Sequence, residues 1–174
     1  MENYMGKRLE NFRAKLKEKG IDAAIIAKSP NYFYLSGFTG SFAYLVITRD
    51  DAVLVTDFRY REQARLEAPL FEVMEYSDNI YSFLNGILKS KNIEILGFEE
   101  DYITYKKFKE FEEKFSVKEL KPLEGMVEVM RMKKDKMELE IIKKAVEIAD
   151  NAFSHILEFI KPGVREIEIA AELE

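Results

Sequence analysis

The sequence has no cysteine, a single histidine, no long uncharged stretch and no surplus of basic charge. The missing cysteine excludes disulfides, thiolate nucleophiles and cysteine-ligated zinc. No uncharged run reaches the ~20 residues that cross a bilayer, and the opening, Met1-Glu2-Asn3-Tyr4, carries no apolar signal core. A soluble, cytoplasmic protein with no membrane partner is expected. Lys and Arg number 27 against 32 Asp and Glu, a net charge of −5. A phosphate backbone demands concentrated cations, so no nucleic-acid partner is expected either. The one histidine, His155, has Glu158 a turn away in a helical pattern. A metal site needs three or four convergent ligands, so His155 reads as a packing or surface residue. Residues 37–40 hold two glycines but lack the Lys and Ser/Thr of a phosphate-cradling loop.

What is present is apolar patterning along the whole length. Hydrophobic residues make up 47% of the 174 and charged residues 34%, which suits a globular fold. Met5, Leu9, Phe12 and Leu16 form a helical stripe over residues 2–19, and Gly20 stands where a C-cap belongs. Residues 23–27 are apolar on both faces and read as a buried strand. A turn at Ser29-Pro30-Asn31 precedes an aromatic stretch over 32–35. Tyr44–Thr48 and Ala52–Thr56 flank a short polar turn and predict a β-hairpin.

Asp57 then starts a short helix over 58–66, and 71–76 is a strand. Asp78 caps a helix over 79–90. Strands over 93–98 and 117–120 flank a helix over 104–115 whose Phe108, Phe111 and Phe115 turn inward. The expected class is α/β, a six-stranded mixed sheet flanked by helices and followed by a C-terminal helical segment. The character changes after Gly125, which divides a first domain over 1–125 from a helical segment over 126–174. That segment opens with a short helix over 126–131. A long helix over 136–160 follows, with two adjoining apolar stripes and a stop at Pro162-Gly163. Two stripes call for a wide partner surface. A further helix starts near Glu166.

Local chemistry is sparse. The run Glu99-Glu100-Asp101 reads as a solvated turn. No residue pattern assembles an active site.

Three segments, taken in order, carry a resemblance. The first is Asn31 to Ser41, with Tyr34-Leu35-Ser36-Gly37-Phe38-Thr39-Gly40-Ser41. The second is Thr56-Asp57-Phe58-Arg59-Tyr60 with Glu62-Gln63-Ala64. The third runs from Arg131 and Lys133 through Glu138, Ile141, Ala145, Asp150 and Phe153 to Lys161-Pro162-Gly163 and Glu166. Together they resemble bacterial Xaa-Pro dipeptidases and aminopeptidases, the prolidase–creatinase group. The resemblance implies a creatinase/prolidase-type amino-terminal domain followed by the first helices of a "pita-bread" metallopeptidase domain, cut short before its metal ligands. In the whole enzyme two divalent metal ions, such as manganese, cobalt or zinc, are expected, held by later residues. No cofactor and no catalytic or metal residue is expected in this chain.

The first domain of such enzymes is similar to a lid and a homodimer contact. The substrate would be a proline-containing peptide. By that analogy Asn31, Tyr34, Ser41, Asp57 and Arg59 are the candidates for substrate-side or dimer-interface roles. Arg59 would meet a substrate carboxylate as a bidentate donor. The resemblance leaves open a non-catalytic binding module of the same architecture and a creatine-type amidinohydrolase. Arg165 stands where the family often has a Thr that caps the last helix.

Overall fold

The computed structural model describes residues 2–174, with side chains described from Tyr4 onward; Met1, part of the polar opening, lies outside them. By compactness the chain divides into two units, Met1–Lys133 and Lys134–Glu174.

The first unit is built on one six-stranded sheet. In chain order its elements are α1 (Glu2–Glu18), β1 (Ala23–Ile26), α2 (Ser29–Ser36), β2 (Tyr44–Thr48), β3 (Ala52–Thr56), α3 (Arg61–Glu67) and β4 (Glu72–Glu75). Then come α4 (Ile80–Ser90), β5 (Ile95–Phe98), α5 (Tyr105–Lys114), β6 (Glu119–Pro122) and α6 (Met126–Met132). The strand order is β4-β3-β2-β1-β5-β6. Only β2 runs antiparallel to its neighbours, with Ile26 opposite Leu45 and Tyr44 opposite Val55. The pairs β3–β4, β1–β5 and β5–β6 are parallel. The sheet is thus mixed, as the hairpin predicted. β6 lies at an edge, where Pro122, which has no N–H to donate, is tolerated.

Alternation along the strands sorts two cores. Ala24, Ile26, Leu45, Ile47 and Leu54 face one side, with Leu9, Phe12 and Leu16 of α1, Tyr32 and Leu35 of α2, and Met126 and Val127 of α6. Ala23, Ile25, Val46, Val53 and Val55 face the other side, with Leu84 and Leu88 of α4 and Phe111 of α5. α6 falls in the first unit because its first turn is buried in this core beside Leu123. Gly97 permits that packing. A Cβ built there would sit 2.6 Å from Leu123 Cδ2 and 3.2 Å from Ile21 Cγ2.

Local differences from the sequence reading have identifiable causes. Residues 29–36 form a helix, not only a turn. Pro30 sits in its first turn, where a missing N–H costs nothing, and Gly37 closes it at φ 83°, its N–H donating to Phe33. α3 starts at Arg61, later than expected, because Asp57 turns its carboxylate to Arg59 and caps no helix. Asn79 caps α4 in place of Asp78; its Oδ1 accepts the N–H groups of Tyr81 and Ser82 at 3.0 and 3.1 Å.

The second unit holds α7 (Lys136–Phe159) and α8 (Glu166–Leu173). A reciprocal cap opens α7: Asp135 Oδ1 accepts the Glu138 N–H at 2.9 Å, and Glu138 Oε2 accepts the Asp135 N–H at 3.0 Å. Ile156 is buried, whereas Ile141, Val146, Ile148, Phe153 and Leu157 of the two stripes are exposed. α8 begins with half such a box. Arg165 has no acceptor to offer, but Glu168 Oε2 accepts its N–H at 2.8 Å. His155 Nε2 pairs with Glu172 Oε1 at 2.7 Å, a partner outside its own helix that sequence spacing did not suggest. No helix among the described residues is long and apolar enough to cross a membrane.

Candidate functional site

Because β1, β3, β4, β5 and β6 run the same way, their carboxyl ends lie along one edge of the sheet. There the chain leaves β1 for α2 on one face and β5 for α5 on the other. Adjacent parallel strands whose connections part in this way leave a crevice between them, the usual ligand position in open α/β sheets.

Here the crevice is filled by the protein's own polar groups. Glu99, the first residue beyond β5, is 3% exposed. Its Oε2 accepts the backbone N–H groups of Ala27 and Lys28 at 2.7 and 2.9 Å, and its Oε1 accepts Asn31 Nδ2 at 2.7 Å. The same Asn31 amide donates to Glu128 Oε1 of α6 at 2.7 Å, and its Oδ1 accepts Arg131 Nη1 at 2.9 Å. Lys28 Nζ closes the outer side, bonding Glu128 Oε1 at 2.7 Å and Asp101.

The solvated-turn reading of the acid run therefore needs correcting at Glu99: the chain turns inward there because two backbone N–H groups and an amide receive the carboxylate. Glu100 and Asp101 are exposed, yet both have partners, the Glu124 N–H and Lys28 respectively. Burial pushes the Glu99 carboxyl above its ordinary range, against the pull of its three N–H donors. Burial also pushes Glu128 up, but the hydrogen bonds from Lys28 and Asn31 outweigh it and hold that carboxyl low. Asp101 and Glu128 together hold the Lys28 ammonium well above its usual range.

A second cluster lies on the same edge, beyond β3. Arg59 Nε and Nη2 donate to Asp57 Oδ1 and Oδ2 at 2.9 and 2.8 Å, and the Arg59 N–H reaches Oδ1 at 3.0 Å. The Arg59 side chain holds the Asp57 carboxyl below the usual carboxylate range. The guanidinium lies 5.2 Å from the centre of the Tyr60 ring and remains 59% exposed. Tyr60 OH and Ser41 Oγ are 2.6 Å apart. Beneath them Phe38 packs edge-on against Tyr60 and tilted against Tyr32, whose hydroxyl donates to the Gly40 carbonyl at 2.7 Å.

The five sequence candidates thus divide. Ser41, Asp57 and Arg59 come together through Tyr60, which stands in the segment carrying the resemblance but is not among the candidates. Asn31 and Tyr34 lie in α2, both buried. Tyr34 carries the Arg8 guanidinium 4.2 Å above its ring, and its hydroxyl donates to the Met130 carbonyl at 3.4 Å. Among the described residues, no three His, Asp or Glu side chains converge as metal ligands. The two divalent ions that the resemblance implies for a whole enzyme have no matching donor set in these residues.

The first unit matches the family model of the creatinase/prolidase N-terminal domain over residues 8–133, and residues 140–174 match metallopeptidase family M24. A Bacillus subtilis protein described as an uncharacterized peptidase is 40% identical over 96% of this chain and 47% of its own length. A Pyrococcus furiosus Xaa-Pro dipeptidase is 37% identical over 98% of the chain and 47% of its own length. A solved Xaa-Pro dipeptidase from Bacillus anthracis superposes with a TM-score of 0.88 at 37% identity, over 98% of this chain and 48% of that one. The chain spans about half the length of the curated relatives it matches.

Proposed function

The chain belongs to the creatinase/prolidase N-terminal domain family, and on that premise we propose that it is the amino-terminal, non-catalytic half of a metal-dependent peptidase cleaving the bond before proline. The names of the Pyrococcus and Bacillus relatives support the substrate class. The match to metallopeptidase family M24 supports metal dependence of the whole protein. When bound, two metals would activate water and polarise the scissile carbonyl. No three His, Asp or Glu side chains of the described residues converge to hold them, and no step is assigned to this chain's own side chains.

The observation that carries the reading is the Asp57–Arg59 pair beside Ser41. It is a cation fixed by a bidentate contact, still exposed, on the functional edge of the sheet. Such a group suits a carboxylate better than a flexible lysine does, because the fork is oriented in advance. An Xaa-Pro dipeptide offers its free carboxylate next to a ring that fixes φ and lacks an N–H. The domain then acts as a lid over the peptide and as a contact between two copies of the enzyme.

Arg59→Met in the complete enzyme tests this. Loss of a charge-assisted hydrogen bond raises KM for an Xaa-Pro dipeptide roughly tenfold and leaves kcat nearly unchanged. Unchanged KM would remove Arg59 from the substrate side. A monomer in sedimentation would remove the dimer contact.

A further inference from the structure

We infer that Asn31 is a positioning residue that latches α6 to the carboxyl edge of the sheet, so that α6 can open as a unit without unfolding of the sheet. This inference stands apart from the peptidase reading. Its basis is how α6 is held. The first turn is anchored by apolar burial of Met126 and Val127. The rest is held less by apolar contact: Val129 is 54% and Met132 72% exposed, and Met130, packed against the same core, is only partly buried. Gly125 supplies no side-chain cap at its start.

The outer turn is held mainly by polar contacts, and these converge on one fully buried amide. Both N–H bonds of Asn31 point at carboxylates, one on each side: Glu99 at the end of β5 and Glu128 on α6. Its carbonyl takes Arg131, one turn further along α6. The side chain is thereby fixed in one orientation, since a flipped amide would aim its oxygen at two carboxylates and its nitrogen at a guanidinium. Lys28 braces the outside through Glu128, and the Tyr34 hydroxyl reaches the Met130 carbonyl. The charged groups bonded to the amide are Glu99, just beyond β5, and Glu128 and Arg131 of α6, so the amide joins the sheet edge to that helix.

Local opening is set by the few contacts that hold a segment, and amide exchange reads it directly. The experiment is hydrogen–deuterium exchange of the whole 174-residue chain, wild type against Asn31→Asp, Arg131→Met and Asn31→Asp/Glu99→Gln. Asn31→Asp removes both donors and sets like charges together, and Arg131→Met removes only the α6-side donor. Both raise exchange over residues 127–132 roughly tenfold or more, while β1, β2 and β3 keep their protection. In the double variant the glutamine amide at position 99 donates to the carboxylate at position 31, which removes one of the two like-charge contacts; the one with Glu128 stays, so part of the lost protection returns. That rescue separates a polar latch from simple loss of packing. Protection of 127–132 unchanged in Arg131→Met would overturn the inference. So would loss of protection in the sheet and α6 together, or an Asn31→Asp defect that Glu99→Gln does not relieve.

Discussion

The guanidinium of Arg59 meets the carboxylate of Asp57 through two parallel N–H···O bonds, and the Arg59 backbone N–H adds a third to the same carboxylate. The residues are two apart, so the loop that carries the cation also orients it. Tyr60 lies against the guanidinium and hands the contact on to Ser41.

The pairing is visible in titration. Asp57 is held below the ordinary carboxylate range, chiefly by the Arg59 side chain. A depressed folded value contributes stability that is present above the unfolded value and is lost as pH falls through the folded one. In carboxyl-observed NMR, Asp57 of wild type titrates below the range of exposed aspartates, and Arg59→Met moves its midpoint upward. An unmoved midpoint would mean that the two groups do not interact in solution.

Glu99 gives the opposite sign. Burial, its largest influence, raises its folded value above the unfolded one. The native state then binds more protons between the two values, so the Glu99 contribution is full below the unfolded value and lost as pH rises through the folded one. Urea midpoints measured across that window test it. The stability of wild type relative to Glu99→Gln declines as pH rises through that window, and a flat or rising difference would contradict the burial argument.

Phe12 and Phe111 are fully buried on opposite faces of the sheet. Truncating either to Ala removes its apolar contacts and leaves a cavity, costing about 3–5 kcal/mol in urea denaturation. Since the sheet separates them, the two losses add. A loss under about 1 kcal/mol at Phe12 would mean that α1 does not pack as described.

α7 depends on its reciprocal cap. Asp135→Ala leaves the Glu138 N–H without the Asp135 acceptor and costs about 1 kcal/mol of helix stability. The change should appear as faster amide exchange in the first turn of α7, with the sheet unaltered.

The sheet, the hairpin and the long helices were legible because their apolar residues repeat with the period of the element. The stripe of α1 shows this most plainly, whereas β1 was legible as a short continuous apolar run. α2 was read only as a turn and an aromatic stretch because Ser29-Pro30-Asn31 opens it with turn residues and its exposed side carries the aromatic Phe33, so no apolar stripe stands out. Asp78 and Asn79 are equally able to cap, and only backbone geometry selects Asn79. The inward turn of Glu99 had no local signal, since its partner Asn31 is 68 residues away in sequence. Ser41, Arg59 and Tyr60 all stand in the segments that carry the family resemblance, but only the structure shows Tyr60 linking the other two, set by the ring of Phe38 below it.

The most direct test of the central claim is a turnover assay on the 174-residue chain itself, with an Xaa-Pro dipeptide and manganese, cobalt or zinc in turn. The Pyrococcus furiosus Xaa-Pro dipeptidase serves as control. The account predicts no hydrolysis above buffer by the chain and metal-dependent cleavage by the control. Multiple turnover by the chain alone would contradict it.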